Sequence, residues 1–162
     1  MANDTYPMTP AGQQHLRDEL RKIKEIDRPD NVREIESALE HGDLRENAEY
    51  HAAKERQGTL EGRLRYLEYR LSNAMVIDPA TVSMERVAFG ATVTVLDMDT
   101  DTEKTYTIVG EDEADADRGR ISITAPLSRA MLGKEAGDEA TIKLPKGERS
   151  LEVISVEYKA VD

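Results

Sequence analysis

Leu60, Leu64, Leu67 and Leu71 recur in steps of four, three and four. That spacing is a heptad seam, one apolar stripe along an α-helix. A second stripe precedes it, with Leu16, Leu20, Ile23 and Ile26 followed by Val32, Ile35 and Leu39 in mostly the same steps. Between the stripes stands His41-Gly-Asp-Leu-Arg-Glu-Asn-Ala-Glu-Tyr-His51. Gly42 halts one helix, and Asp43 can open the next. Neither helix can bury its stripe alone. With so short a link, the economical solution is an antiparallel coiled-coil hairpin with residues 41–51 at its tip. About 32 residues per arm at ~1.5 Å each give an arm on the order of 45–50 Å.

Thr9-Pro10 marks the start of the first helix: Thr9 suits the N-cap, and Pro10 suits the first helical position. Pro29 removes a hydrogen bond and crowds the preceding turn, which predicts a kink. Arg63, Arg65, Glu68 and Arg70 lie off the leucine stripe and are expected in solvent. Ser72-Asn73 and Asp78-Pro79 end the helical pattern.

From Arg86 the period changes to two. Residues 91–96, 105–109, 120–124, 140–144 and 150–158 read as strands, with polar turns at 97–103 and 145–148. Residues 126–132 read as one short helix ended by Gly133. The expected fold is therefore α+β. A hairpin domain at 1–78 is followed by a small domain at 79–162 with an antiparallel sheet and one short helix.

Up to Asp78 there are 12 basic and 16 acidic residues, a net −4; beyond it there are 10 and 17, a net −7. Neither half suits an independent nucleic-acid binder, because phosphates would be repelled. The chain has no cysteine, which excludes disulfides, thiolate chemistry and cysteine-ligated zinc. No segment reads as a signal peptide or approaches the ~18 apolar residues of a membrane span.

Asp43 and Glu46 stand three apart, on one face of a helical turn. Asp-x-x-Glu at a helix start is also a capping box, and both acids complement the positive end of the helix dipole. Two hard carboxylates equally suit magnesium, yet are too few to hold it alone. The motif reads as half a site that a partner completes. His41, Asp43 and His51 match no common zinc spacing. Arg45, Lys54 and Arg56 could steer a phosphate backbone, although ion pairs with neighbouring acids compete for each.

The tip sequence, continued by Ala52-Ala-Lys-Glu55, resembles that of the Gre family of bacterial transcript-cleavage factors, GreA type. Met8-Thr-Pro10, Leu71-Ser-Asn-Ala-Met-Val-Ile-Asp78 and Phe89-Gly-Ala-Thr-Val-Thr-Val95 also match. So do Gly110-Glu-Asp-Glu-Ala-Asp115 and Ala125-Pro-Leu-Ser-Arg-Ala-Met-Leu-Gly-Lys-Glu135. The resemblance implies a coiled-coil hairpin and an FKBP-like domain. It implies that the hairpin enters the secondary channel of RNA polymerase core and that Asp43 and Glu46 hold a shared Mg2+ at the polymerase active site. The polymerase would then hydrolyse backtracked RNA near its 3′ end, in the bacterial cytoplasm. Arg45, Lys54 and Arg56 would face the RNA, which is reached only within the elongation complex. Pro126, Leu127, Ser128, Arg129 and Lys134 would dock on the channel rim. Leu39 stands where GreA-type factors often carry an arginine of a small basic patch.

The resemblance also implies that the chain is no nuclease by itself. The alternatives are a channel-binding inhibitor and a structural coiled-coil protein, neither of which stimulates cleavage. A prolyl isomerase would need an aromatic-lined pocket, and after residue 85 the aromatics are Phe89, Tyr106 and Tyr158.

Overall fold

The computed structural model describes residues 4–40 and 47–162. They form two compact units. One comprises Gln14–Asn73; the other comprises Ala74–Asp162 together with the described residues up to Gln13.

The helical unit is built from α1 (Pro10–Lys22), a π-helical turn (Ile23–Asp27), α2 (Arg28–Leu39) and α3 (Ala48–Ser72). Thr9 caps α1: its hydroxyl accepts from the Gly12 amide at 3.1 Å. The interruption expected at Pro29 takes the form of the π turn just before it, in which the Arg28 amide bonds back to the Ile23 carbonyl. An i→i+5 turn inserts one extra residue into the helix. The buried positions move accordingly. Leu16 is buried before the turn and Ile23 at its first position; after it the seam runs through Asn31, half-buried Ile35 and Ala38. Ile26, Val32 and Leu39, expected on the stripe, are instead 51%, 49% and 45% exposed.

On α3 the leucine seam holds, with Leu64 and Leu67 buried and Leu60 and Leu71 half-buried. Each of the two buried leucines contributes on the order of 1.5–3 kcal/mol. Nearer the tip the seam is thin: Asn31, Ala38 and Ala53 fill it. Asn31 donates its side-chain amide to the Ala53 carbonyl at 2.9 Å. Ion pairs cross the hairpin from Glu19 to Arg63 at 2.6 Å, Arg28 to Glu61 at 2.8 Å and Lys24 to Glu68 at 3.5 Å. Exposed pairs of this kind are worth about 0.2–1 kcal/mol each, so they steer register more than they stabilise. From Lys24–Glu68 through Arg28–Glu61 to Glu34–Arg56 the numbering rises on one arm and falls on the other, so the arms are antiparallel. Arg63, Arg65 and Glu68 are exposed as expected, but Arg70 is only 6% exposed. Its guanidinium lies 5.7 Å from the centre of the Tyr66 ring, which covers part of the charge.

The globular unit begins with β1 (Tyr6–Met8), which pairs in parallel with β2 (Ala74–Val76). This non-local pairing is why the first residues group with the later part of the chain, whereas the sequence reading divides the chain at 78. Five further strands form one sheet in the order β5-β4-β3-β7-β6: β3 (Ala91–Asp97), β4 (Thr102–Val109), β5 (Arg120–Ser122), β6 (Glu139–Leu144) and β7 (Gly147–Tyr158). The sheet is antiparallel as expected, except at its edge, where β5 runs parallel to β4. The loop between them crosses over instead of reversing, and its turn closes at Gly119, where φ is +69°. The register shifts between Thr94 and Val95 against β7, a bulge that bends the sheet.

Val93, Val95, Ile108, Leu151 and Val153 form the core with Met131 of α4 (Pro126–Met131). Tyr158 fastens the segment before β3, donating its hydroxyl to the Arg86 carbonyl and accepting from the Ala88 amide at 3.0 Å.

Candidate functional site

The hairpin tip carries the acids singled out in the sequence. Asp43 and Glu46, with His41 and Arg45, lie outside the described residues. The neck that holds the tip is described. α2 ends at Leu39 and α3 starts at Ala48, with Asn47 as its N-cap. The Asn47 carbonyl oxygen accepts from the Tyr50 amide at 3.1 Å, and its NH2 donates to the Ala38 carbonyl at 2.6 Å. One side chain thus satisfies an orphan donor of α3 and bonds a carbonyl in the last turn of α2, which staples the arms together. The sequence reading opened this helix near Asp43 and gave Asp43 its cap. The structure gives the cap of α3 to Asn47. The signal was available, because Asn is among the best N-cap residues and stands directly before Ala48.

Beyond the neck, the candidate phosphate-steering residues divide. Lys54 is exposed, and its Nζ reaches Gln57 at 2.8 Å on its own helix. Arg56 is turned across the hairpin onto Glu34 and, at 3.9 Å, Asp27. Its charge is partly spent within the fold. Leu39, at the end of α2, offers an exposed apolar side chain. His51 is exposed and meets the Tyr50 ring edge-on at 5.8 Å. Among the described residues no group of three or more His, Cys, Asp or Glu side chains could hold a metal ion.

The globular unit carries a cleft of about 310 Å3 between the sheet and the start of α4. Its walls are apolar: Val95, Tyr106, Pro126, Leu127, Ile142 and Leu151. Its rim is charged, with Lys104, Asp97 and Arg149, the last two 3.6 Å apart. Pro126 and Leu127, read from the sequence as docking residues, therefore line one concave surface. Arg129 is exposed and Lys134 half-buried on the same segment. Ser128 is fully buried, and its hydroxyl donates to the Ser122 carbonyl at 2.6 Å. It holds the segment in place and offers nothing to a partner. Tyr106 is the one aromatic lining residue described, which does not make the aromatic cage a prolyl isomerase needs.

No described helix is long and apolar enough to cross a membrane. The sequence profile described as "Transcription elongation factor, N-terminal" matches residues 6–76, and that described as "Transcription elongation factor, GreA/GreB, C-term" matches residues 82–158. The chain is 57% identical over 160 residues to transcription elongation factor GreA of Francisella tularensis subsp. novicida, covering 98% of this chain and all of that one. The GreA factor of Francisella tularensis subsp. tularensis strain SCHU S4 matches to the same extent. Among solved structures, GreA factor homolog 1 of Thermus thermophilus is similar, with 24% identity, a TM-score of 0.44, and coverage of 94% of this chain and 99% of that one. With both profiles matched and more than half of all positions identical to GreA along nearly the whole chain, the protein belongs to the GreA/GreB family of transcription elongation factors.

Proposed function

We propose that the chain stimulates RNA polymerase to cleave its own backtracked transcript, and so returns arrested elongation complexes to synthesis. The observation that carries this reading is the 57% identity to GreA along 98% of the chain, together with a tip that retains both acids, Asp43 and Glu46. Partner and place of action follow from it: RNA polymerase core, entered through its secondary channel, in the bacterial cytoplasm.

The donor set fits magnesium. Two carboxylates are hard oxygen ligands, ionised at neutral pH, and they leave most of an octahedral shell to water, phosphate and the polymerase. When bound, the metal supplies an activated water and stabilises charge on the transferring phosphate. The chain's own residues do the rest. Asp43 and Glu46 present oxygen ligands at the tip. Asn47 holds the neck beneath them. Lys54 offers an exposed positive charge to RNA, with Arg45 beside the acids. Pro126, Leu127, Arg129 and Lys134 form the docking face, where an apolar side chain of the partner fits the cleft. With only two tip ligands, the isolated protein binds magnesium weakly and cleaves no RNA. The readings without cleavage, a channel-binding inhibitor or a structural coiled coil, leave the acidic tip without a task.

The test is a stalled elongation complex of the cognate polymerase, with and without this protein, with the 3′-terminal RNA fragments resolved. Release of short 3′ fragments that depends on the protein supports the reading. Unchanged RNA, or degradation of free RNA by the protein alone, defeats it.

A further inference from the structure

The inner face of the sheet outruns the helix that covers it. α4 has six residues, about 9 Å at ~1.5 Å each, against a sheet whose longest strand has twelve residues. Alternate residues of four strands pack into the core: Val93 and Val95 on β3, Ile108 and Tyr106 on β4, Ala140 and Ile142 on β6, Val153 and Leu151 on β7. The same alternation, taken one step further along each strand, gives Asp97, Lys104, Leu144 and Arg149. All four line the cleft of about 310 Å3 beside α4. The cleft is thus the uncovered end of the core.

The charges around it are unequally engaged. Asp97 Oδ1 accepts from the Asp99 and Thr100 amides at 2.9 and 3.3 Å, and its Oδ2 stands 3.6 Å from Arg149. Lys104 is exposed, and among the described residues it has no ion-pair or side-chain hydrogen-bond partner. Two cations and one acid leave the lining positive, in a part of the chain whose net charge is −7. The acids of the adjoining turn, Asp99 and Asp101, do not line the cleft. A lysine stem can lie along an apolar wall while its ammonium stays in water. Lys104 therefore sets an unengaged positive charge at the rim of an apolar cavity.

We propose that the cleft takes an apolar side chain standing beside a carboxylate on the polymerase surface, and that Lys104 is the specificity residue that reads the carboxylate. The proposal rests on the docking role given above to Pro126 and Leu127, which wall the same cleft. Apolar walls alone accept any aliphatic side chain of suitable size. The ammonium adds a choice: it favours an acidic neighbour and penalises a basic one. Arg149 adds to the field, but Asp97 already takes part of its charge.

The experiment has two arms. In the first, Lys104→Glu and Lys104→Gln compete with labelled wild type for cognate RNA polymerase core. Lys143→Glu is the control, because Lys143 is exposed on the opposite side of β6 and does not line the cleft. Lys104→Glu is expected to bind about tenfold more weakly and Lys104→Gln about threefold, with wild-type melting and an unchanged cleavage rate at saturation. Lys143→Glu is expected to bind like wild type. Wild-type affinity in Lys104→Glu, or an equal loss in Lys143→Glu, overturns the proposal. In the second arm, the peptides acetyl-Glu-Leu-Glu-amide and acetyl-Lys-Leu-Lys-amide are added to the 15N-labelled full chain. The acidic peptide is expected to shift the amides of Val95, Tyr106, Leu127 and Ile142 more strongly, and Lys104→Glu to reverse that order. Equal shifts from both peptides, or an order unchanged in Lys104→Glu, also overturn it. If wild type does not bind polymerase at all, the docking reading fails, while the peptides still decide what the cleft selects.

Discussion

Asn31 on α2 gives a side-chain N–H to the Ala53 carbonyl of α3, at a seam position only 2% exposed. An amide there is a specificity device: satisfied in one register, it is left unpaired in any other. Asn31→Ala should cost about 1–3 kcal/mol, from the lost hydrogen bond and the space it leaves. Asn31→Leu should melt at or above the wild-type temperature, yet lose the single register. Doubled amide resonances along α3 would show this, and one sharp set would refute it.

The N-cap of α3 is Asn47. Asp43→Ala and Asp43→Ser should both melt like wild type and still bind polymerase, while Asn47→Ala costs about 1 kcal/mol. Both Asp43 variants, and Glu46→Gln, should lose most cleavage stimulation, with partial recovery at high magnesium. Wild-type cleavage by Asp43→Ser would end the metal-presenting account of the tip.

Neighbours on the α4 segment should behave oppositely. Arg129 is exposed, so Arg129→Glu should leave the melting curve unchanged and weaken competition for polymerase. Ser128 is buried against Ser122 at 2.6 Å, so Ser128→Ala should cost about 1 kcal/mol of stability and leave docking intact. Equal effects of the two on affinity would misplace the docking face.

Tyr158 gives the globular unit an alkaline limit. Burial pushes its phenol above the ordinary value of 10.0, against a smaller opposing pull from the Ala88 amide. The folded state holds the proton more tightly than the unfolded chain does. That stabilisation is complete below pH 10 and fades as pH rises through the raised folded value. Tyr158→Phe should therefore melt lower at neutral pH, by about 1 kcal/mol, and lose this component of the alkaline fall. An unchanged slope above pH 10 would show that another group carries it.

The leucine seam of α3 and the strands after Arg86 could be read directly, because Leu64 and Leu67, or Val93 and Val95, announce their buried side by apolarity alone. α2 could not. Its seam is Asn31 and Ala38, while Val32 and Leu39 next to them face solvent, and apolarity there points the wrong way. Arg70 hides its charge over Tyr66, which spacing does not reveal. β1 and β2 are three residues each and stable only together, so neither stands out in a local window. At the tip, Asp43 and Glu46 were visible as chemistry, whereas Asn47, which builds the neck, was passed over for the more acidic candidate.

The π turn at Ile23–Asp27 works as an angular take-up between α1 and α2. Each residue added to or removed from a helix swings everything beyond it by about 100° around the axis. Deleting one residue there, Lys24 for instance, would return the rod to an unbroken α-helix. Asn31 and Ala38 would keep their seam positions, because the steps of seven, eight and seven through Leu16, Ile23, Asn31 and Ala38 would become seven throughout. The π turn thus absorbs a single surplus residue, and an unbroken helix of the same sequence would hand the seam of α2 to Asp30 and Ser37.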